Sequence, residues 1–296
     1  MANPKAGMGR CEAAIRQLVT CLEAVHLAPV RVGDLNQLTE LAANTHAQGR
    51  LRAIVAVGGD GTVAEIVNRT QPDMPITVLP HGTANLLARH FGLEADPETL
   101  AHVIRRGATI RLDAGRANGR IFVLMVGCGF DADVVHRMHQ RRTAAGVTYW
   151  TYARPILEAI RSYRYPRLRV YCERETPTGR TTTKMVARWA FVINLPCYAG
   201  GLNLAPEAIA TDGVLNVSTL RNGSIWYGLW YIGHVLSGRT ASIADYRTAT
   251  VTRVRIESRE PVHYQLDGDP GGMLPLEVEV LPGRITLLHP AAGRTT

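Results

Sequence analysis

The first hundred residues alternate between two hydrophobic patterns, one typical of buried strands and one typical of helices. Residues 53–57 form a continuous apolar, β-rich run that stops at Gly58-Gly59-Asp60-Gly61-Thr62, and helical spacing begins at once at Val63. Another short strand is predicted over residues 76–79, and Pro80-His81-Gly82-Thr83 follows it. Both strands therefore end in a glycine turn that opens a helix.

The other helices of this region are predicted from their start and stop signals. Asp34 precedes an apolar repeat that ends at Gly49, and Asp96-Pro97 provides the cap and first position of a helix that ends at Gly107. Helical spacing also occurs over residues 15–22 and from the second glycine turn to residue 92. Because strand and helix alternate, we expect a parallel sheet covered by helices, with the site at the strand ends.

Near residue 109 the pattern changes to the alternation of apolar and polar residues that is typical of strands. Residues 109–116 and 120–126 flank the turn dipeptide Asn118-Gly119, which predicts a hairpin. Further strands are predicted over residues 167–173, 184–194, 213–220, 251–256, 262–266 and 276–281, and helices over residues 149–163 and 224–236. The sequence thus indicates a second, mainly antiparallel domain built as a β-sandwich.

The turn at residues 58–62 is chemically suited to binding a phosphate. The first backbone N–H groups of a helix lack intrahelical partners, and glycine allows an anion to approach them closely. The carboxylate of Asp60 would repel such a ligand unless Mg²⁺ bridges the two or a substrate hydroxyl gives up its proton there. Alternatively, Asp60 only caps the following helix.

Composition narrows the class of protein. A net charge of +8 favours acidic partners, namely nucleotide phosphates, anionic lipid surfaces or nucleic acid. Five scattered cysteines without a CxxC pair indicate neither a zinc site nor a disulfide framework, as expected for a cytoplasmic protein. Residues 225–236 are too short to span a membrane, and we recognise neither a signal peptide nor a P-loop.

Two carboxylates lie close together near the end of the chain, in Asp267-Gly268-Asp269 between two predicted strands. Taken alone, Asp-Gly is an ordinary turn dipeptide. In the company of the glycine turns, the pair becomes a candidate for a functional site.

Together these motifs resemble the diacylglycerol kinase catalytic-domain superfamily, specifically the bacterial soluble lipid kinases, with sphingosine kinases as relatives and NAD kinases and phosphofructokinases more distant. The resemblance covers nearly the whole chain. Its most specific part is GGDGT at residues 58–62 followed by PxGTxN at residues 80–85. The other matching stretches are Asn3-Pro4-Lys5-Ala6-Gly7, Asn118-Gly119-Arg120, residues 127–132, Asn194 with Gly200-Gly201, Pro206 with Asp212-Gly213, and Asp267-Gly268-Asp269.

The resemblance implies two domains. An N-terminal α/β nucleotide-binding domain would occupy residues 1–112, with residues 284–296 as candidates to rejoin it. A C-terminal β-sandwich domain for the lipid substrate would occupy residues 113–283. By analogy with the family, the site would lie in the cleft between the domains.

The resemblance also implies ATP and Mg²⁺ as cofactors. The catalytic residues would be Asp60, Asp267 and Asp269, of which the first two would bind the catalytic magnesium and Asp269 would accept the hydroxyl proton. The nucleotide site would comprise Asn3, Gly58, Gly59, Asp60, Gly61, Thr62, Glu65, Gly82 and Thr83.

The chain departs from the family pattern in its acidic motif and around its glycine loops. The family's DGE motif is DGD here, so Asp269 is one methylene shorter than the usual Glu. Ala64 and Leu86 stand where Asn and Asp are common. A structural metal site would use Asp212 and the carbonyl of Val214, but its third position is Ile209, which cannot ligate a cation.

The predicted function is transfer of the γ-phosphoryl group of ATP to a lipid hydroxyl, of the diacylglycerol or sphingoid type. Two alternatives stay open: a kinase of a soluble hydroxyl, as in NAD kinase, and an inactive nucleotide-binding protein. We expect a cytoplasmic protein that contacts the inner membrane face peripherally, without a transmembrane segment and without a nucleic-acid partner. The sequence leaves a homodimer open.

Two groups of side chains, around the predicted helices 149–163 and 224–236, suit a membrane interface. The first combines Arg137, Arg141, Arg142, Arg154, Arg161 and Arg164 with Tyr149, Trp150 and Tyr152. The second carries Trp226, Tyr227, Trp230 and Tyr231. The alternative for each helix is that the aromatic rings pack in the sandwich core and the arginines are simply solvated.

Overall fold

The chain forms two compact units in the computed structural model, which describes residues 8–140, 159, 162–177, 179–198 and 202–290. Unit 1 comprises Met1–Ala114 and Pro282–Thr296, and unit 2 comprises Gly115–Leu281. The chain passes from one unit to the other within two strands, β3 (Thr109–Ala117) and β16 (Leu276–Leu288). No helix in the described part of the chain is long and apolar enough to cross a membrane.

Unit 1 is the alternating α/β region that the sequence predicts. Its elements are α1 (Met8–Ala24), α2 (Leu35–Ala47), β1 (Ile54–Gly58), α3 (Asp60–Val67), β2 (Pro75–Pro80), α4 (Leu86–His90) and α5 (Pro97–Arg106). Strands β1 and β2 pair in parallel from Ile54↔Ile76 to Gly58↔Pro80, and β16 pairs in parallel with the other edge of β2 at Thr286↔Pro75. The predicted parallel sheet is therefore confirmed.

The helix boundaries of unit 1 follow the capping residues in the sequence. The Asp34 carboxylate accepts the backbone N–H groups of residues 36 and 37 at the start of α2. Asp96 accepts the N–H of Thr99 at the start of α5, and Gly107 ends that helix with φ 74°, a conformation that favours glycine. These starts and stops are confirmed because they depend on local chemistry alone.

Unit 2 is mainly antiparallel. Its described elements are β4 (Arg120–Phe122), β5 (Met125–Cys128), α6 (Phe130–Gln140), β6 (Leu168–Thr176), β7 (Gly179–Ala187), β8 (Trp189–Ile193), β9 (Cys197–Tyr198), β10 (Leu202–Asn203), β11 (Leu215–Leu220), α7 (Ile225–Leu236), β12 (Tyr246–Val251), β13 (Arg253–Ser258), β14 (His263–Leu266) and β15 (Asp269–Met273). The helix predicted over residues 149–163 lies almost entirely outside the described residues.

Two sheets enclose the core of unit 2. One has the strand order β12-β11-β8-β5-β14-β15, and the other contains β16-β13-β6-β7. Buried side chains from both sheets form one hydrophobic cluster, including Val126, Val192, Val217, Val170 and Ile256. The alternation of apolar residues along each strand places these side chains inward, which confirms the predicted sandwich.

Three predicted strands, residues 184–194, 251–256 and 120–126, are each divided between two strands in the structure, and the last covers β4 and β5. The first is divided at Arg188, where the chain leaves β7 in one sheet and enters β8 in the other. The second is divided at Thr252, between β12 and β13. These predictions were wrong because both sheets bury apolar side chains in one core, so buried apolar residues stand close to each corner on both sides.

Helix α6 packs against the β14–β15 hairpin through a pair of stacked imidazole rings. The ring centroids of His136 and His263 are 3.9 Å apart, with an interplanar angle of 17°. The Asp133 carboxylate lies 3.7 Å from His263 Nδ1 and accepts a hydrogen bond from Arg137 Nε at 2.6 Å. Burial lowers the pKa of His263, the nearby His136 and Arg137 lower it further, and Asp133 opposes this shift.

The lowered pKa of His263 predicts a loss of stability in mild acid. Where the folded-state pKa of a histidine is depressed, the unfolded chain binds the proton first, so the free energy of unfolding falls as the pH drops below about 6.5. We expect this fall in urea titrations of the wild type between about pH 7 and 5, and His263→Gln should flatten it. The matched control is His139→Gln, an exposed position on α6, which should keep the wild-type slope. An unchanged slope in His263→Gln would contradict this assignment.

Candidate active site

In unit 1 the two glycine loops touch each other. Strands β1 and β2 are parallel neighbours, so they end at the same edge of the sheet, and the His81 N–H donates to the Gly58 carbonyl at 2.9 Å. A Cβ on Gly82 would lie 2.5 Å from the Gly59 Cα, closer than real Cβ contacts allow. Gly82 therefore requires glycine, a Cβ on Gly59 would be tight at 3.0 Å from the Gly82 Cα, and GGDGT and PxGTxN form one structure rather than two independent loops.

Asn85 holds the second loop in shape. Its side-chain oxygen accepts the Gly82 N–H and its side-chain nitrogen donates to the Gly82 carbonyl, both at 2.9 Å. Asn85 itself adopts the left-handed conformation, with φ 49°, which asparagine tolerates better than most residues. Asn85, the Asn of the PxGTxN motif, thus stabilises the conformation of its own loop.

The Asp60 carboxylate joins the two loops. Its two oxygens accept the backbone N–H groups of Leu86 and Leu87, each at 3.0 Å, at the start of α4. The alternative that Asp60 caps its own helix is therefore wrong, because the N-cap of α3 is Gly59 and Asp60 is its first residue. The Asp60 side chain instead fixes the start of the neighbouring helix α4.

The N-terminus of α3 remains suited to an anion. The Thr62 and Val63 N–H groups donate to the Gly59 carbonyl, and Gly59 provides no side chain that could cap the helix. The positive end of the helix dipole therefore lies beside the glycine contact, and its cap residue provides no side-chain acceptor. This is the geometry that the phosphate-binding prediction requires.

The remaining predicted nucleotide residues differ in their surroundings. Thr62 is buried against Gly58, where a Cβ would lie 2.4 Å from the threonine hydroxyl oxygen. Glu65 forms an ion pair with Arg69 at 2.7 Å, one helical turn further on. Thr83 is exposed. Asn3 and the loop around it lie outside the described residues, so their roles stay predictions.

In unit 2 the Asp267-Gly268 dipeptide forms the turn between β14 and β15. Both residues have positive φ, 50° and 87°, and Leu266 pairs with Asp269 across the turn. This is the pattern of a type I′ hairpin turn, which Asp-Gly favours. Asp269 is the first residue of β15 and is half-buried.

The Asp267 carboxylate binds the backbone between β4 and β5. It accepts the N–H groups of Val123, Leu124 and Met125 at 2.7, 2.8 and 2.9 Å, and the Asp267 N–H donates to the Met125 carbonyl. Three backbone donors occupy most of the acceptor capacity of one carboxylate. The structure thus gives Asp267 a positioning role that its predicted roles in magnesium binding and catalysis did not include.

Two buried amides that sequence reasoning did not place in the site support the same region. The Asn194 side chain donates to the Val123 carbonyl at 2.8 Å, and the Gln265 side-chain oxygen accepts the Gly268 N–H at 2.8 Å. Asn194 stands in a family motif, whereas nothing in the local sequence marks Gln265. Its role depends on a hydrogen bond made across the hairpin turn.

Pro270-Gly271-Gly272, which follows the proposed base, forms part of a strand. These residues belong to β15, and a Cβ on Gly271 would lie 2.3 Å from the Tyr264 ring. The two glycines let strand β15 pack against this aromatic side chain. The backbone after Asp269 is therefore held in place by packing.

The predicted structural metal site gains no support from the geometry. Asp212 lies in an exposed turn, where it accepts the Val214 N–H at 3.1 Å, and the Ile209 side chain is 57% exposed. Among the described residues no three His, Cys, Asp or Glu side chains are grouped closely enough to hold a metal ion. Asp212 and Val214 are therefore not part of the proposed site.

Comparisons with known proteins match both parts of the chain. The diacylglycerol kinase catalytic domain model matches residues 1–117. The model of the YegS C-terminal NAD kinase β-sandwich-like domain matches residues 124–289, more than half of the chain. The two matches follow one another along the sequence and agree with the α/β and sandwich architectures of the two units.

Whole-length relatives give the same result. A diacylglycerol kinase of Mycobacterium tuberculosis is 26% identical over 99% of this chain and 95% of that protein. A solved diacylglycerol kinase from Bacillus anthracis matches with a TM-score of 0.72 at 24% identity, covering 98% of this chain and 96% of that one. An NAD kinase from Archaeoglobus fulgidus, solved in complex with ATP, matches with a TM-score of 0.50 at 12% identity, covering 93% and 88%.

The structural matches concern the fold, which confirms the predicted α/β domain followed by an NAD-kinase-like β-sandwich. The family models confirm the resemblance that the glycine motifs suggested. The chain belongs to the diacylglycerol kinase family, with a diacylglycerol kinase catalytic domain followed by a YegS-type C-terminal domain.

Proposed function

We propose that this protein is an ATP-dependent lipid kinase, which transfers the γ-phosphoryl group of ATP to a lipid hydroxyl. The observation that carries the proposal is the contact between the Gly59 and Gly82 loops beside the N-terminus of α3. Family membership supports phosphoryl transfer, and similarity to the mycobacterial diacylglycerol kinase supports a lipid acceptor. The structurally similar NAD kinase was solved in complex with ATP, which supports ATP as the donor.

The nucleotide phosphates would bind at residues 58–62. Amide groups at the start of α3 and the helix dipole favour negative charge there, and the absence of side chains at Gly58 and Gly59 lets oxygen atoms approach the backbone. The exposed Thr83 hydroxyl, on the adjoining loop, is available as a further donor. Binding of this kind positions the γ-phosphate, and positioning supplies much of the rate in phosphoryl transfer.

The Asp60 carboxylate fits the predicted contact with magnesium. Each of its oxygens accepts one N–H group at 3.0 Å and keeps a second lone pair, and the side chain is only half-buried. When bound, Mg²⁺ neutralises charge that develops on the transferred phosphoryl group. The two N–H bonds hold the Asp60 carboxylate in one orientation before any ligand arrives.

Asp269 is proposed as the acceptor of the hydroxyl proton. The acceptor oxygen forms its bond to the γ-phosphorus while the bond to the bridging oxygen of ATP breaks, and the hydroxyl proton moves to the carboxylate. Asp267, held by three backbone N–H groups, positions the turn that presents Asp269. Because β15 is packed on Tyr264, Asp269 acts from a rigid strand.

A labelled-phosphate assay tests the function. Purified protein, [γ-³²P]ATP and Mg²⁺ are incubated with a panel of diacylglycerol, monoacylglycerol, sphingoid base, phosphatidylglycerol and NAD. We expect label in one of the lipids. Label in NAD alone would identify a kinase of soluble hydroxyls instead, and ATP binding without transfer to any acceptor would identify an inactive nucleotide-binding protein.

Removing the proton acceptor should lower turnover without loss of nucleotide binding. Asp269→Asn keeps the size of the side chain but accepts no proton, so we expect kcat to fall on the order of 10²-fold or more while ATP affinity is kept. Asp269→Glu retains a carboxylate of the length common in the family and should keep part of the activity. Asp212→Asn, an exposed turn carboxylate in the same unit, is the matched control and should be as active as wild type.

A different result would reassign the base. If Asp269→Asn turns over at the wild-type rate while Asp60→Asn is inactive, the proton acceptor is Asp60 and the role proposed for Asp269 is wrong.

Asp60→Ala should reduce both activity and stability. The variant loses a carboxylate at the proposed phosphate site and leaves two N–H groups of α4 without their acceptor, so we expect turnover to be abolished and the free energy of unfolding to fall by about 1–3 kcal/mol. Asp96→Ala, which removes a helix cap elsewhere in unit 1, should lower stability with turnover unchanged. Full turnover in a folded Asp60→Ala protein would remove Asp60 from the mechanism.

A further inference from the structure

Helix α7 presents a continuous apolar face to solvent. Five of its side chains are exposed large hydrophobic groups, with exposed fractions of 78% for Trp226, 54% for Leu229 and 69% for Leu236, and 44% and 42% for Tyr227 and Trp230. At 100° per residue they lie on one side of the helix, together with the half-buried His234, whose ring centroid is 4.1 Å from that of Trp230. A contiguous exposed apolar patch of this kind is typical of an interaction site.

The opposite face fixes α7 to unit 2. Ser224 caps the helix by accepting the Tyr227 N–H, and Gly228 is buried against the Trp189 ring. Tyr231 is 3% exposed and donates its hydroxyl proton to the Asp245 carboxylate. The grouping of Tyr231 with the interface aromatics was therefore wrong. Because this face is anchored, the exposed face is a permanent feature of the fold.

The charged residues around α7 indicate which kind of partner it binds. Arg221 precedes α7 and Arg239 follows it, and both are exposed. The nearby acidic group, Asp245, is turned inward, where it accepts the Tyr231 hydroxyl and the N–H groups of Arg221 and Asn222. The face therefore has an apolar, aromatic centre and a basic residue at each end.

We propose that α7 docks this protein on an anionic lipid bilayer, lying in the plane of the interface. Tryptophan and tyrosine favour the boundary between headgroups and acyl chains, leucine enters the acyl region, and arginine pairs with anionic headgroups. The inference deepens the proposed lipid kinase, since a lipid acceptor must be reached at such a surface. It does not depend on catalysis, because docking is measured without ATP.

The size of the face favours a bilayer over a second copy of the chain. A fully exposed aromatic side chain offers about 150–250 Å², so with these exposed fractions the face offers on the order of 500 Å². A stable protein dimer buries about 800 Å² on each partner. A bilayer needs no complementary shape, and each apolar side chain that enters it adds to binding separately.

Vesicle sedimentation of the full chain tests the proposal. The vesicles contain phosphatidylglycerol and phosphatidylcholine, or phosphatidylcholine alone, and ATP is absent. We expect binding to the anionic vesicles, a roughly tenfold or greater loss of affinity in Trp226→Ser/Trp230→Ser, and a smaller loss in Arg221→Gln/Arg239→Gln. Val30→Ser, which alters an exposed apolar side chain of unit 1, is the matched control and should bind as wild type.

Three outcomes would overturn the docking proposal. These are wild-type affinity in Trp226→Ser/Trp230→Ser, equal binding of the wild type to both kinds of vesicle, or a dimer in sedimentation equilibrium that the double Trp variant abolishes. Asp269→Asn should sediment with anionic vesicles like the wild type. Vesicle binding through α7 without phosphoryl transfer would contradict the proposed function and leave the docking proposal standing. Phosphoryl transfer to a lipid without vesicle binding would contradict the docking proposal and leave the proposed function standing.

Discussion

The candidate site of unit 1 depends on the close approach of two glycines. Gly59 and Gly82 come so near that a Cβ on Gly82 would lie 2.5 Å from the Gly59 Cα, and the contact fixes the loops that follow β1 and β2 against each other. The contact itself is steric, and hydrogen bonds stabilise the two loops. The His81 N–H donates to the Gly58 carbonyl, the Asn85 side chain bonds within its own loop, and the Asp60 carboxylate accepts N–H groups at the start of α4. The phosphate-binding hypothesis requires this arrangement, because it leaves the N-terminus of α3 beside a surface without side chains.

Both units use an aspartate to hold a neighbouring backbone segment. Asp60 accepts two N–H groups at the start of α4, and Asp267 accepts three between β4 and β5. A carboxylate held in this way is preorganised, since its orientation is set before a substrate binds. The same bonds make these residues important for stability, so loss of activity in a variant of either one is not by itself evidence for catalysis. Asp269 lies on a strand that is held by the packing of Gly271 on Tyr264. The near-isosteric change of Asp269 to Asn therefore separates a loss of catalysis from a loss of stability better than a change at Asp60 or Asp267 does.

Local signals allowed much of this fold to be predicted from the sequence. Helix caps such as Asp34 and Asp96, the glycine turn after β1 and the Asp267-Gly268 turn each depend on a few neighbouring residues, and the structure has them where the sequence places them. Contacts between distant residues could not be found in the same way. The bonds from Asp60 to α4 and from Gln265 to the acidic turn, and the packing of Gly271 on Tyr264, arise only when separate elements meet. The corners at Arg188 and Thr252 were missed for a related reason, because both sheets bury side chains in one core.

The measurement that tests the central claim most directly is the affinity of the Gly82→Ala variant for Mg·ATP, determined by calorimetry beside a melting curve. If the contact between Gly59 and Gly82 shapes the nucleotide site, the added methyl group separates the loops, and affinity should fall by about tenfold or more in a protein that still folds. Gly33→Ala, at an exposed position with no atom within 4 Å of the added Cβ, should bind as wild type. Wild-type affinity in folded Gly82→Ala would contradict the account, because it would mean that ATP binds without the contact between the glycine loops.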